Sequence, residues 1–307
     1  MQATIQVQGL TKRYGRTTAV DNVTFGVRPG AVTGFIGPNG AGKSTTMRII
    51  LGLDAADGTV LINGTGYRAL DDPLRAIGAL LDANAVHPGR TARNHLRWLA
   101  YTNSIPAARV DEVLAQVGLS SVANKRVGGF SLGMRQRLGI AGALLGDPPI
   151  VMFDEPGNGL DPEGIIWIRT FMRELAAAGR TVFVSSHLMS ELEDTADHLL
   201  IMGRGRLVAD ISMADLLTGA SGDRIDVRTT QPTEAMAALA NAGGEASTMT
   251  AGVVIVRGLT GDRVAAALGA AQVAFTEMRT HRASLEEAYL DLTKNVTEFS
   301  ASPEVPA

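Results

Sequence analysis

The chain has 307 residues, 45% of them apolar, with a net charge of −3 and no cysteine. Disulfides and thiolate metal sites are excluded, and no basic block exists to follow a nucleic-acid backbone, so direct nucleic-acid binding is not expected. The length suits one large domain with a small one, or two ordinary domains.

No apolar stretch reaches the roughly 18 residues that a membrane-spanning helix needs. The best candidate, residues 138–145, is closed by Arg137 on one side and by Asp147-Pro148-Pro149 on the other. The start, Met1-Gln2-Ala3-Thr4-Ile5-Gln6, lacks the charged end and apolar core of a signal peptide, which points to the cytoplasm. The histidines are scattered, and His87 and His95 show no metal-binding spacing.

Ile5, Val7 and Leu10 alternate with Gln6 and Gln8, so residues 4–10 read as a half-buried strand. A second strand fits residues 22–27, ending at the turn Arg28-Pro29-Gly30. The apolar run 31–36 leads into Gly37-Pro38-Asn39-Gly40-Ala41-Gly42-Lys43-Ser44-Thr45, and residues 46–50 suit the first turns of a helix. Glycines bound a further strand over residues 58–64, and the pattern turns helical from about residue 91 to 145. Continuous apolar runs at 149–153 and 181–185 read as strands buried on both faces of a parallel sheet. The helix 165–178 between them completes a βαβ unit, and a hairpin of residues 198–202 and 206–210 turns at Gly203-Arg204-Gly205.

After Gly219-Ala220-Ser221-Gly222 the order becomes strand 224–229, helix 233–242, strand 253–257, helix 262–271, strand 275–279 and helix 284–294. That is a small α+β module near the lower size limit for independent folding. It contains no phosphate loop, carboxylate pair or histidine cluster. The expected division is a nucleotide-binding domain over 1–220, with a helical subdomain over about 85–147, a C-terminal module over 221–296 and a disordered tail over 297–307.

The nine residues 37–45 form a complete phosphate-binding loop of the form GxxxxGK[ST], in the strand–loop–helix context it requires. Gly37, Gly40 and Gly42 let successive backbone N–H groups face one anion, and the helix adds its positive end. Lys43 would reach the β- and γ-phosphates, and the Ser44 hydroxyl would join a Mg²⁺ shell. A second element narrows the chemistry. Ile150-Val151-Met152-Phe153 is an apolar strand ending in Asp154 and Glu155. Asp154 would hold Mg²⁺, and Glu155 would polarise an attacking water. The plain alternative for two acids at a strand end is a solvated terminus.

A third element, Phe130-Ser131-Leu132-Gly133-Met134-Arg135-Gln136-Arg137, lies upstream of the acids and is by itself a helix start capped by Ser131. Here the chain resembles the ATP-binding-cassette (ABC) family, whose signature Leu-Ser-Gly-Gly-Gln sits in this place. Ser131 and Gly133 keep the serine and second glycine, while Leu132 and Met134 replace the first glycine and the glutamine. The resemblance implies that Ser131 and Gly133 serve the γ-phosphate held by a second protomer. It makes Tyr14 the aromatic that stacks on adenine, and His187 the switch histidine at the γ-phosphate. The loop Asn158-Gly159-Leu160-Asp161 would then cross the dimer interface. Asp82 stands where the family expects a glutamine that bonds Mg²⁺ and the lytic water. The resemblance would make it a Mg²⁺ or water contact, with a structural loop residue as the alternative.

A GTPase reading has little support, because Asn124-Lys125-Arg126-Val127 lacks the aspartate of a guanine-reading Asn-Lys-x-Asp run. The resemblance implies an α/β P-loop NTPase (RecA-like) core with an antiparallel β subdomain and a helical subdomain. It further implies a Mg-ATP-dependent ATPase that dimerises through ATP with a copy of itself or a paralogous cassette. Such a subunit drives a separate membrane permease from the cytoplasmic face of the membrane. The run Glu155 to Pro162 and the C-terminal segment Ser284-Leu285-Glu286-Glu287-Ala288-Tyr289-Leu290 are similar to exporters of the bacitracin- and daunorubicin-resistance type, which favours drug-like cargo. The competing readings are a non-transport ABC ATPase and a regulatory ATP-binding module.

Overall fold

The computed structural model describes residues 4–221, 224–250, 252–280 and 284–293. Strands β1 (Ile5–Tyr14) and β2 (Thr17–Val27) open the chain, and β3 (Val32–Ile36) leads through the phosphate loop into helix α1 (Lys43–Ile50). Next come β4 (Asp57–Ile62), the short α2 (Pro73–Ala76) and β5 (Ile77–Leu80). Helices α3 (Ala92–Thr102), α4 (Ala108–Gln116) and α5 (Leu132–Leu144) precede β6 (Ile150–Asp154), α6 (Pro162–Ala177) and β7 (Thr181–Ser186). The hairpin β8 (His198–Gly203) and β9 (Arg206–Ser212) follows.

Two sheets result. One is antiparallel in the order β2-β1-β4; the other runs β5-β6-β7-β3-β8-β9, parallel except for the β8–β9 pair. Every residue of β3, β7 and β8 is buried, the polar Thr33, Thr181, Ser185, Ser186 and His198 included, as in strands covered on both faces. Phe25 of the small sheet meets Phe35 and Phe183 of the large one with tilted rings 5.7 and 5.9 Å away. The parallel strands end together, which puts the phosphate loop, Asp154 and Ser186 at one rim. That rim is where ligands bind in such sheets.

Helix α5 lies directly on β5 because two glycines permit it. A Cβ at Gly78 would fall 1.8 Å from the Ala143 carbonyl oxygen, and one at Gly139 would fall 2.5 Å from Leu80. β5 was not among the expected strands, since four residues are too few to show a period. The helical stretch 91–145 is three helices separated by loops and 3₁₀ turns rather than a continuous run.

By compactness one unit runs to Met213 and a second covers Ala214–Leu292. Helix α7 (Met213–Ser221) precedes β10 (Ile225–Thr229), α8 (Pro232–Asn241), β11 (Glu245–Thr250), β12 (Val253–Arg257), α9 (Gly261–Ala270), β13 (Phe275–Thr280) and α10 (Leu285–Thr293). The sheet order β11-β12-β10-β13 is antiparallel throughout, the split βαβ arrangement. Leu239, Val264 and Leu268 of the helices pack with Val227, Val254 and Val256 of the strands. β11 was missed because Glu-Ala-Ser-Thr-Met-Thr carries no apolar stripe. The expected tail 297–307 lies outside the described residues, as does Lys294 of the expected last helix. Among the described residues no helix is long and apolar enough to cross a membrane.

Candidate functional site

The phosphate loop is fixed by close backbone contacts. A Cβ at Gly42 would sit 2.4 Å from the Ala19 carbonyl oxygen, and Gly42 caps α1 at φ +100°. Only glycine meets both conditions. Lys43, the first residue of α1, is buried, and its Nζ donates to the Gly37 carbonyl at 2.6 Å and to Pro38 at 3.4 Å. The same ammonium lies 3.5 Å from Glu155 Oε1.

Glu155 stands just beyond β6 with φ +49°, a left-handed conformation that is strained for a residue with a side chain. Its N–H donates to Ser185 Oγ at 2.9 Å, and the Ser185 hydroxyl donates to Asp154 Oδ1 at 2.5 Å. Glu155 Oε2 receives the His187 backbone N–H at 3.3 Å and lies 2.6 Å from His187 Nδ1. Glu155 is thus held between a cation and a histidine, with its main chain pinned by the neighbouring strand.

Tyr14, Pro38 to Thr45, Glu155, Asn158 and His187 line one open cleft of about 640 Å³. The donors on its floor are those an oligophosphate requires: N–H groups at a helix start and a lysine. Tyr14, half exposed at the rim, donates its hydroxyl to Asp54 Oδ2 at 3.2 Å, and Lys12 Nζ lies 4.8 Å from its ring centre. Arg48 of α1 grips the same carboxylate through Nε at 2.7 Å and Nη2 at 3.3 Å. The Arg48 hydrogen bond is the main reason the Asp54 carboxyl titrates below its usual range.

An adjoining hollow of about 400 Å³ is lined by Asp82, Asn84, Leu132, Gln136, Asp154, Glu155 and Asn158, among others. It brings Asp82 to the two strand-end acids. Asp82 Oδ1 also accepts the Asn84 N–H at 2.8 Å, closing its own turn. Gln136 Oε1 is buried without a hydrogen-bond partner. Among the described residues no three acids or histidines form a complete metal cage. Asp82 and Asp154 line this hollow, whereas Ser44 lines the neighbouring cleft.

Ser131 caps α5, accepting the Met134 N–H at 3.2 Å, and Asp161 caps α6, accepting the Gly164 N–H at 2.9 Å. Ser131, Gly133 and Asp161 line neither the cleft nor the hollow. Gly133 packs on Leu160, and Leu132 packs on Gly159, so the signature helix and the loop after the acids interlock. Arg137 lies 3.7 Å over the Trp167 ring and donates to the Val117 carbonyl at 3.0 Å, joining α4, α5 and α6. Sequence reasoning missed Ser185, Ser186, Asp54 and Glu191. The two serines were open to it, since hydroxyls ending an apolar strand before a histidine have no packing purpose.

Residues 20–158 match the ABC transporter domain family, and residues 223–286 match a domain family of unknown function. The bacitracin transport ATP-binding protein BcrA of Bacillus licheniformis is 42% identical over 215 residues, covering 69% of this chain and 70% of that protein. The ABC transporter ATP-binding protein YhcH of Bacillus subtilis is 34% identical over 97% of this chain and 98% of its own. The lantibiotic transport ATP-binding protein SrtF of Streptococcus pyogenes is 35% identical over 67% of this chain and 90% of its own. Among solved structures, an ATP-binding subunit of an ABC transporter aligns with TM-score 0.63 at 29% identity, over 70% of this chain and 92% of that one. A dimeric ATP-binding cassette bound to ADP and phosphate aligns at 0.62 with 26% identity, over 68% and 98%. The phosphate loop, the acid pair beside His187 and the capped signature helix belong together in one lineage: this chain is a member of the ABC transporter family, as its ATP-binding and ATP-hydrolysing subunit.

Proposed function

We propose that two chains form a head-to-tail cassette dimer in which Lys43 and Glu155 of one protomer work with Ser131 and Gly133 of the other. The observation that carries this reading is a separation within one chain. Lys43, Glu155 and His187 share one cleft, whereas Ser131, Gly133 and Asp161 line neither it nor the adjoining hollow. Ser131 and Asp161 each cap a helix start, the kind of place that suits a second anion contact. The partner is a second copy of this chain or a paralogous cassette.

Within the cleft, Tyr14 stacks on the base, and the backbone of residues 37–45 cradles the phosphates. Lys43 turns from the Gly37 and Pro38 carbonyls to the phosphate oxygens, which frees Glu155 from its ion pair. Glu155 then takes the proton of the attacking water, with His187 fixing its carboxylate and reaching the γ-phosphate. Ser44 and Asp154 would hold Mg²⁺, with Asp82 as a further ligand or water contact, and the ion would supply positive charge that neutralises the phosphates.

The relatives named for bacitracin and lantibiotic transport support an exporter of drug- or antibiotic-like cargo. The chain would act at the cytoplasmic face of the membrane on a separate permease. Support for a docking surface comes from α3, where Tyr101 is 87% exposed and the half-exposed Trp98 carries Arg90 4.7 Å over its ring. In this reading residues 1–220 are the cassette, with its helical part over 85–147, and residues 221–296 are a separate module.

The test is complementation. Lys43→Ala and Ser131→Ala are each expected to be inactive alone with Mg-ATP. Mixed, they rebuild one intact shared site per heterodimer and regain activity. A mixture as inactive as its components would reject the shared site.

A further inference from the structure

Glu191 belongs to none of the expected motifs, yet it is the only acid among the buried described residues. It ends the 3₁₀ turn Met189–Glu191 that follows His187. Its Oε2 accepts the Ser186 hydroxyl at 2.8 Å, and Ser186 Oγ in turn accepts the Leu188 N–H at 2.9 Å. These bonds bracket His187 by tying together the residues on its two sides. The carboxylate also rests against Gly157, where a Cβ would lie 2.5 Å from Oε1 and 2.8 Å from Cδ. Gly157 belongs to the turn that leaves Glu155, closed by the Asn158 N–H on the Glu155 carbonyl at 3.1 Å.

One side chain therefore touches both segments that carry the Glu155–His187 pair. Its Oε1 is buried and has no hydrogen-bond partner among the described residues. Such an atom is costly to keep, and a leucine of similar volume would avoid the cost. Stability alone does not account for a carboxyl group at this place.

We propose that Glu191 is a positioning residue for ATP hydrolysis: it clasps the loop after Glu155 to the turn bearing His187, and so keeps the 2.6 Å Glu155–His187 contact in register. The proposal rests on Glu155 being the base. The groups facing Glu191 are Ser186, Glu155, His187 and Arg169. Burial, the largest influence, raises its titration. Ser186 opposes that shift, Glu155 adds to it, and His187 and Arg169 oppose it. The clasp itself is a hydrogen bond and a fit of shape, which a neutral group of the same outline also provides.

The full chain is assayed with Mg-ATP. Glu191→Ala and Ser186→Ala are expected to lower kcat about tenfold with KM within about twofold, the pattern of a lost transition-state arrangement. Glu191→Gln keeps an acceptor for Ser186 and the contact with Gly157, and holds kcat within about threefold of wild type. Gly157→Ala drives a methyl group into the carboxylate and should match Glu191→Ala, with the double variant no worse than either single one. A Glu191→Ala protein that melts earlier but retains wild-type kcat would overturn the clasp. So would a Glu191→Gln loss equal to that of alanine, or effects of Gly157→Ala and Glu191→Ala that multiply. Should Glu191→Ala fail to fold, Ser186→Ala decides by the same kcat criterion. A Glu155→Gln variant as active as wild type overturns the base assignment; a normal Glu155→Gln loss beside an unaffected Glu191→Ala overturns the clasp alone.

Discussion

Leu132 covers Gly159 so closely that a Cβ at position 159 would lie 2.3 Å from the leucine Cδ2. Leu132 occupies the place where the family signature has its first glycine. The bulk added in the signature helix is thus absorbed by a glycine in the loop after the strand-end acids. Gly159 also has φ +70°, so an alanine there meets backbone strain as well as the clash. Gly159→Ala is expected to destabilise the chain by about 1–3 kcal/mol. Leu132→Ala should recover the clash and leave the φ strain, about 1 kcal/mol. Urea unfolding of both singles and the double variant measures this, and strictly additive losses would contradict it.

Tyr14 has one face near Lys12 and its hydroxyl on Asp54. Loss of base stacking is worth about 1–3 kcal/mol per base, so Tyr14→Ala should weaken nucleotide affinity about 5- to 150-fold. Tyr14→Phe keeps the ring and should lose only a small part of that. Equilibrium binding of a fluorescent ATP analogue separates the two. Equal losses would show that the hydroxyl, not the ring, matters.

Glu191 gives a stability profile with a defined sign. Its carboxyl is raised in the folded chain, chiefly by burial, from an ordinary 4.5. The wild type keeps that contribution below the unfolded value and loses it as pH climbs through the folded one. Glu191→Gln does not ionise, so it should gain on the wild type from acid to neutral pH. Urea midpoints between about pH 4 and 8 should diverge upward with pH. A constant difference across the range would reject the shift.

Arg137 and Trp167 join the helical part to α6 through a stacked cation. Arg137 is held below its usual range, first by burial, with Glu163 and Asp161 opposing. A double-mutant cycle of Arg137→Ala and Trp167→Ala should return a coupling of about 0.5–2 kcal/mol. No coupling would mean that the arginine is held by the Val117 carbonyl alone.

Local chemistry was the legible part of this chain. The phosphate loop, the strand-end acids and the Ser131 cap each depend on neighbours within a few residues, so their spacing carries them. β5 and β11 escaped notice for opposite reasons, one too short to show a period and one too polar. The anchor of Tyr14 lies 40 residues away at Asp54, and the clasp of Glu191 lies across two strand ends. No sequence period links such positions. Asp82 stayed ambiguous because its carboxylate closes its own turn while lining the acid hollow.

Arg48 sits in the last turn of the helix whose first residue is Lys43. Through Asp54 it fastens the Tyr14 ring to the far end of that eight-residue rod, about 12 Å long at 1.5 Å per residue. In the proposed binding mode, the Tyr14 ring and the phosphate loop are therefore two jaws of one caliper. A caliper gauges span and is indifferent to the pattern on a base edge. Guanine should be admitted nearly as well as adenine, whereas a nucleotide whose phosphate chain is shortened or stretched should fit one jaw and miss the other.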